Sequence, residues 1–97
     1  MPKGYWIAHV TVENAQIYED YKAANAAPFA EFGARFLVRA GTAEQVEGDL
    51  RPRTVVIEFA SYADALACYE SATYANARAI RQSVSASDLV IVEGYDG

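Results

Sequence analysis

The chain has 97 residues, of which 53% are hydrophobic and 22% are charged, and its formal net charge is −5. This length predicts a single domain spanning residues 1–97, and the hydrophobic content excludes a disordered chain. Nucleic acids and anionic membrane surfaces attract clusters of lysine and arginine, whereas the cations of this acidic chain are scattered. We therefore expect neither a nucleic acid nor a membrane as a partner.

Two strand–helix–strand units follow one another along the chain. Strands are predicted at residues 5–12, 34–39, 54–59 and 89–93. Asn14 is expected to cap the first helical segment, which Pro28 interrupts. Ser61 is expected to cap the second segment. Residues 71–73 offer a break and a second cap, and a further helix over residues 74–84 is expected to direct Arg81 toward solvent.

This order of elements predicts an α+β fold of the ferredoxin-like βαββαβ type, with a four-stranded antiparallel sheet and the helices on one face. Strand four is expected to pair antiparallel with strand one, and strand two antiparallel with strand three. Strands one and three are expected to lie side by side and parallel. This arrangement places His9, Glu58 and Arg35 together at one end of the sheet.

Alternation of side chains divides the four strands into two faces. One face is almost wholly apolar and is expected to pack against the helices. The other face is mixed, and no helix is left to cover it. Its predicted members are Ile7, His9, Thr11, Arg35, Leu37, Arg39, Thr54, Val56, Glu58, Leu89, Ile91 and Glu93. We expect a homodimer that buries this mixed face between two copies of the chain.

Several segments resemble one family over nearly the whole chain. They are residues 4–10 (GYWIAHV), 33–39 (GARFLVR), 51–59 (RPRTVVIEF) and 91–94 (IVEG), together with Tyr18, Tyr21, Tyr69 and Tyr74. As a set they are similar to the family called domain of unknown function 1330. The resemblance implies a dimeric α+β barrel, in which two ferredoxin-like subunits join their sheets, and it implies no particular reaction. Cys68 departs from the family pattern, which has a large aromatic residue at that position.

His9 is the only histidine of the chain and the first candidate for catalysis. With Glu58 beside it to orient the ring, His9 can act as a general base, and Arg35 can anchor an acidic substrate. The alternative is structural: His9 forms a hydrogen bond at the dimer interface, while Glu58 and Arg35 belong to an ion network. The sequence leaves both interpretations open.

A second group of residues is predicted to bind a ligand. Arg39 follows Arg35 by four residues and is expected to share its face, where both can hold a carboxylate. Four tyrosines are expected to line a cavity between the helices and the sheet: Tyr18, Tyr21, Tyr69 and Tyr74. Glu93 is a further candidate. The alternatives are ordinary core packing for the tyrosines and ion pairing for the charged residues.

The sequence predicts no cofactor and no metal site. One histidine and one cysteine do not form a set of metal ligands, and no glycine-rich phosphate loop occurs. Cys68 is interpreted as a small apolar residue of a helix. The single cysteine and the lack of a signal-peptide pattern at the start of the chain lead us to expect a cytoplasmic location.

Three functions agree with these patterns. The first is a small cofactor-free enzyme that carries out proton transfer or monooxygenase-like chemistry on a small organic acid or aromatic compound. The second is non-catalytic binding of a small metabolite, and the third is a purely structural dimer. An open cavity lined by His9 or by the tyrosines favours the first two, and a filled interior favours the third.

Overall fold

A computed structural model of the chain describes residues 2–96, which form four strands and four helices. In chain order these are β1 (Gly4–Val12), α1 (Ala15–Ala24), α2 (Ala26–Glu31), β2 (Arg35–Arg39), β3 (Arg53–Phe59), α3 (Tyr62–Glu70), α4 (Ala72–Val84) and β4 (Ser85–Glu93). The predicted βαββαβ order is confirmed, and each of its two helical segments is divided into two helices.

Side-chain caps explain where three of the helices begin. The side-chain oxygens of Asn14, Ser61 and Ser71 each accept a hydrogen bond from the backbone amide three residues later, at 3.0 to 3.1 Å. The predicted caps at Asn14 and Ser61 are therefore confirmed. The first helical segment breaks at Asn25. Pro28 lies in the first turn of α2, where its missing N–H leaves no helical hydrogen bond unmade.

The sheet has the strand order β2-β3-β1-β4, and every neighbouring pair is antiparallel. The four-stranded antiparallel sheet is therefore confirmed, but the expected parallel pairing of strands one and three is wrong. Within each strand–helix–strand unit the second strand runs in the same direction as the first, so β1 and β2 run parallel to each other. The central strand β3 reverses direction after β2 and lies between them. Gly4 consequently lies opposite Phe59, and Val10 lies opposite Arg53.

The assignment of β4 side chains to the two faces is also wrong. Leu89 lies opposite Ala8, and Ile91 lies opposite Trp6, so both pack against the core beneath the helices. Val90 and Val92 lie on the outer face of the sheet, where they are 53% and 40% exposed. Residues 89–92 are all apolar, so the sequence contains no alternation of polar and apolar residues that would select one phase over the other.

A β-bulge in β2 places Arg35 and Arg39 on opposite faces, contrary to prediction. The register shifts between Phe36, which lies opposite Ile57, and Val38, which lies opposite Val56. An extra residue in one strand reverses the side-chain alternation beyond it. Arg39 therefore points to the helix side, whereas Arg35 stays on the outer face.

Trp6 lies at the centre of the core. Its ring centroid is 5.0 to 5.6 Å from those of four aromatic residues: Phe29, Phe59, Tyr69 and Tyr74. Its indole N–H donates a hydrogen bond of 2.8 Å to the carbonyl of Ala65, which attaches α3 to the sheet. Cys68 is fully buried beside this cluster. Within residues 2–96 no helix has the length and apolar character needed to cross a membrane, and the longest, α4, has 13 residues.

Candidate functional site

A cleft opens between the helix-side face of the sheet and the helices α1 and α4. Its apolar and aromatic walls are formed by Trp6, Ala8, Val10, Tyr18, Tyr21, Phe36, Val55, Ile57, Tyr74 and Leu89. Its remaining lining residues are Lys22, Asn25, Arg39, Arg53 and Arg81. An aromatic slot with a few polar groups is typical of a site for a small molecule.

The charges that line the cleft all have the same sign. Among residues 2–96, four of those that line it are cationic and none is a carboxylate, although the whole chain has a net charge of −5. A concave site that collects one sign of charge concentrates ions of the opposite sign. The cleft is therefore built to attract an anion.

Two tyrosine hydroxyls meet at the floor of the cleft. The hydroxyl oxygens of Tyr21 on α1 and Tyr74 on α4 are 2.8 Å apart, and both side chains are buried. Burial raises the pKa of both phenols above the ordinary value of 10.0. For Tyr74, the hydrogen bond from Tyr21 and the nearby Arg81 guanidinium oppose part of that rise. Both tyrosines are thus protonated near neutral pH and can donate hydrogen bonds.

Arg81 is a buried cation beside this pair. It projects from α4, is only 7% exposed, and donates from Nη1 to the hydroxyl of Ser87 at 2.6 Å. Residues 2–96 form two ion pairs, Lys22 with Glu19 and Arg51 with Asp88, and neither involves Arg81. A buried charge is costly without a compensating anion. Arg81 therefore offers a positive charge that no carboxylate of the described chain neutralises.

Two further arginines lie at the edge of the cleft. The guanidinium of Arg39 lies 4.1 Å from the ring centroid of Phe36, and that of Arg53 lies 5.2 Å from the ring centroid of Tyr18. Cation–π attraction holds both side chains against aromatic walls. The buried Nε of Arg53 has no hydrogen-bond partner among residues 2–96. An anion that enters the cleft can supply the missing acceptor.

The structure brings part of the predicted ligand-binding group together. Tyr18, Tyr21, Tyr74 and Arg39 all line the cleft. Tyr69 instead lines a neighbouring polar groove beyond Arg81, where it packs on Trp6 and carries the Arg78 guanidinium above its ring. Glu93 is exposed at the end of β4, opposite Gly4, and has no part in the ion pairs of residues 2–96.

The predicted cluster of His9, Glu58 and Arg35 does not form, because the central strands are antiparallel. His9 lies opposite Thr54, and its Nδ1 is 3.2 Å from the Thr54 hydroxyl. Thr54 and Glu58 are four residues apart on β3, about 13 Å at roughly 3.3 Å per residue. The carboxylate opposite His9 belongs to Asp88 on β4.

Glu58 has other neighbours on the outer face. It accepts a hydrogen bond of 3.2 Å from the Tyr5 hydroxyl and lies opposite Arg35, as the strand order predicts. His9, Glu58 and Arg35 all lie on the side of the sheet away from the cleft. Their catalytic roles stay predictions, but they cannot act together on one small substrate within one subunit.

Sequence reasoning missed Arg81, which was expected to face solvent. The buried residues of α4 are Tyr74, Ala77, Arg81 and Val84. Their spacing of three, four and three residues is that of one helix face. Arg81 therefore occupies a position of the apolar stripe, and this spacing was the signal that could have identified it. Lys22, Asn25 and Arg53 carried no such signal, because their positions depend on how the helices pack on the sheet.

The family model called DUF1330, a domain of unknown function, matches residues 3–95. The chain belongs to the DUF1330 family. The expected family membership is confirmed. No curated protein matches this sequence.

Solved structures share the fold of this DUF1330 chain at low sequence identity. A protein of unknown function from Rhodopseudomonas palustris has a TM-score of 0.79 and 14% identity, with 99% of this chain and 85% of that chain covered. SnoaB from Streptomyces nogalater, a cofactor-independent oxygenase, has a TM-score of 0.66 and 14% identity, covering 100% and 97%. A protein of Nitrosomonas europaea, suggested to be an antibiotic biosynthesis monooxygenase, has a TM-score of 0.59 and 18% identity, covering 99% and 94%. These similarities confirm the ferredoxin-like α+β fold.

Within residues 2–96, no three histidine, cysteine, aspartate or glutamate side chains are grouped to hold a metal ion. The cleft offers hydrogen-bond donors, which are the hydroxyls of Tyr21 and Tyr74, and it offers the positive charge of its arginines. Such a set of groups can bind and stabilise negative charge on an organic molecule.

Proposed function

We propose that this protein binds a small, planar organic anion in the cleft between the sheet and α1 and α4. The observation that carries this proposal is the buried Arg81, which has no carboxylate partner in the described chain and lies in a cleft lined by three more cations. The aromatic walls suit an aromatic or conjugated body, because flat rings pack against them with little loss of conformational freedom.

Calorimetric titration with benzoate and with benzamide tests this proposal. Both ligands have the same ring, but only benzoate carries a charge. Benzoate is expected to bind at least tenfold more tightly, and its affinity is expected to fall as salt is added. Arg53→Gln should weaken benzoate binding, whereas Arg78→Gln, which changes a cation outside the cleft, should not. Equal binding of the two ligands would refute the proposal.

A cofactor-free enzyme is the second candidate, and we propose it for the same cleft. It is supported by the likeness in fold to SnoaB, a cofactor-independent oxygenase, at 14% identity. A cleft that stabilises an organic anion would favour proton transfer from the ligand or reaction of its anion with dioxygen. Oxygen consumption with a panel of phenols and enols tests this, with Arg81→Met as the inactive comparison.

Catalysis by His9 on the outer face is a separate possibility that His9→Gln addresses. Because His9 does not line the cleft, this change should leave benzoate binding in the cleft unaltered. Turnover that disappears in His9→Gln while binding persists would assign the chemistry to the outer face. Turnover that survives would leave the cleft as the only candidate site.

We also propose that the outer face of the sheet forms a homodimer, in the cytoplasm. Four large apolar side chains of β2 and β4 are exposed there or at the bulge: Leu37, Val38, Val90 and Val92. A specific interface buries about 800 Å² per partner, a size that one sheet face can supply. Light scattering should report a dimer that Val90→Asp dissociates and that Ile17→Asp, on the exposed side of α1, leaves intact. A monomeric parent protein would refute this arrangement.

A further inference from the structure

We infer that the anion taken up by the cleft is an ionised phenol or enol, whose oxygen meets Tyr21, Tyr74 and Arg81 at the floor. This inference rests on the anion-binding function proposed above and names its ligand class. The cleft would then favour the ionised form of a weak acid over its neutral form.

The tyrosine pair leaves one hydroxyl proton available. Tyr21 and Tyr74 have two hydroxyl protons between them, and their mutual hydrogen bond of 2.8 Å uses one. The Asn25 amide beside Tyr21 and the Arg81 guanidinium beside Tyr74 act on these hydroxyls as hydrogen-bond donors, so neither uses the second hydroxyl proton. Burial keeps both phenols protonated. The remaining O–H is thus a donor for a ligand oxygen at the floor of the cleft.

The group beside this donor is the positively charged guanidinium of Arg81, and only part of its hydrogen-bonding capacity is occupied. Arg81 donates from Nη1 to the Ser87 hydroxyl, and the rest of its guanidinium has no carboxylate partner among residues 2–96. One hydroxyl and part of one guanidinium satisfy a single oxygen whose charge spreads into an attached ring. A carboxylate at the same place has two oxygens with about four acceptor positions, which need more donors than the floor supplies. The floor therefore matches a phenolate or enolate better than a carboxylate.

The cleft contains no side chain that would take the proton from a neutral ligand. Its described lining includes no histidine, aspartate or glutamate, and its arginines remain protonated. The proton therefore leaves to solvent, and the bond that breaks is the ligand O–H. Binding the anion more tightly than the neutral acid then lowers the pKa of the bound ligand.

Spectrophotometric titration of 4-nitrophenol bound to the full chain tests this inference, because the anion absorbs visible light and the neutral form does not. The pKa of the bound ligand is expected to fall by about one unit or more, which corresponds to tenfold tighter binding of the anion. Arg81→Met should abolish most of the shift. Arg78→Met, three residues away on α4 and outside the cleft, should preserve it. Tyr74→Phe should reduce the shift and serves as a second variant if Arg81→Met fails to fold.

Two further ligands separate this inference from the proposed function. 4-Nitroanisole cannot ionise and should bind at least tenfold more weakly than 4-nitrophenolate, as the inference requires. If 4-nitrobenzoate binds tenfold more tightly than 4-nitrophenolate, the ligand class is wrong and the anion-binding function stands. An unchanged or raised pKa of bound 4-nitrophenol overturns the inference in the same way. If neither anion binds, the inference and the proposed function both fail.

Discussion

The hydroxyl oxygens of Tyr21 and Tyr74 lie 2.8 Å apart although 53 residues separate them in the chain. This contact joins α1 to α4 in the cleft, beside the buried Arg81. The same pair therefore links the packing of the two helices to the donor groups that a ligand meets.

Replacing both tyrosines should lower the free energy of unfolding by less than the sum of the two single replacements. Tyr74→Phe leaves the Tyr21 hydroxyl buried without its partner, and the expected loss in the free energy of unfolding is about 1–3 kcal/mol. In Tyr21→Phe/Tyr74→Phe neither hydroxyl remains, so the loss should be smaller than the sum of the single losses. Urea denaturation of the four proteins measures this coupling. Strictly additive losses would show that the hydrogen bond does not form in solution.

Arg81 is expected to favour binding at the expense of stability. Arg81→Met removes a buried charge that pairs with no carboxylate of the described residues, and it puts a long apolar side chain in its place. Its free energy of unfolding should therefore be unchanged or higher by about 1 kcal/mol or more, because apolar replacements of buried ionic groups are often neutral or stabilising. Its affinity for benzoate should fall at least tenfold. Parallel thermal denaturation and calorimetry check both effects, and a large loss of stability would show that Arg81 is primarily structural.

Gly4 should not tolerate a side chain, because β1 begins directly against α3. A Cβ atom at this position would lie 2.6 Å from the Cα of Tyr62 and would also clash with the carbonyl oxygen of Ser61. Gly4→Ala should destabilise the protein by about 1–3 kcal/mol, as other overpacked sites do. Gly41→Ala is the matched control, since among residues 2–96 no atom beyond Gly41 and its two chain neighbours lies within 4 Å of the added Cβ. Equal urea midpoints for the two variants would contradict the close packing at Gly4.

The buried thiol of Cys68 is expected to make the protein less stable in alkaline solution. Burial raises the pKa of its thiol from 9.0 to about 12. Between these pH values the unfolded chain has released the thiol proton while the folded chain still holds it. The free energy of unfolding therefore falls as pH rises from about 9 to about 12. The raised pKa values of Tyr21 and Tyr74 add to this fall above about pH 10.

Urea denaturation at a series of pH values measures the effect of Cys68. Cys68→Ala should lower stability at neutral pH, because it leaves space in the core, and its stability should decline less steeply above pH 9. Identical slopes for the parent protein and Cys68→Ala would show that the thiol is not protected from solvent.

The sequence by itself determined those features that depend on neighbouring residues. The caps at Asn14 and Ser61 need only the side chain and an amide three residues later. The order of strands and helices and the burial of Trp6 follow from local periodicity and composition. Family membership could likewise be anticipated, because it rests on sequence motifs along nearly the whole chain.

Only the tertiary structure decided how these elements meet. The register of β3 against β1 separates His9 from Glu58, and the bulge in β2 turns Arg39 toward the helices. The sequence was equally undecided about which β4 side chains face the helices, because residues 89–92 are all apolar. Each outcome depends on hydrogen bonds between strands that are distant along the chain, so no local pattern encodes it. Arg81 is a mixed case: its spacing on α4 marks it as a residue of the buried helix face, but only the packing of the helices on the sheet makes it part of the cleft.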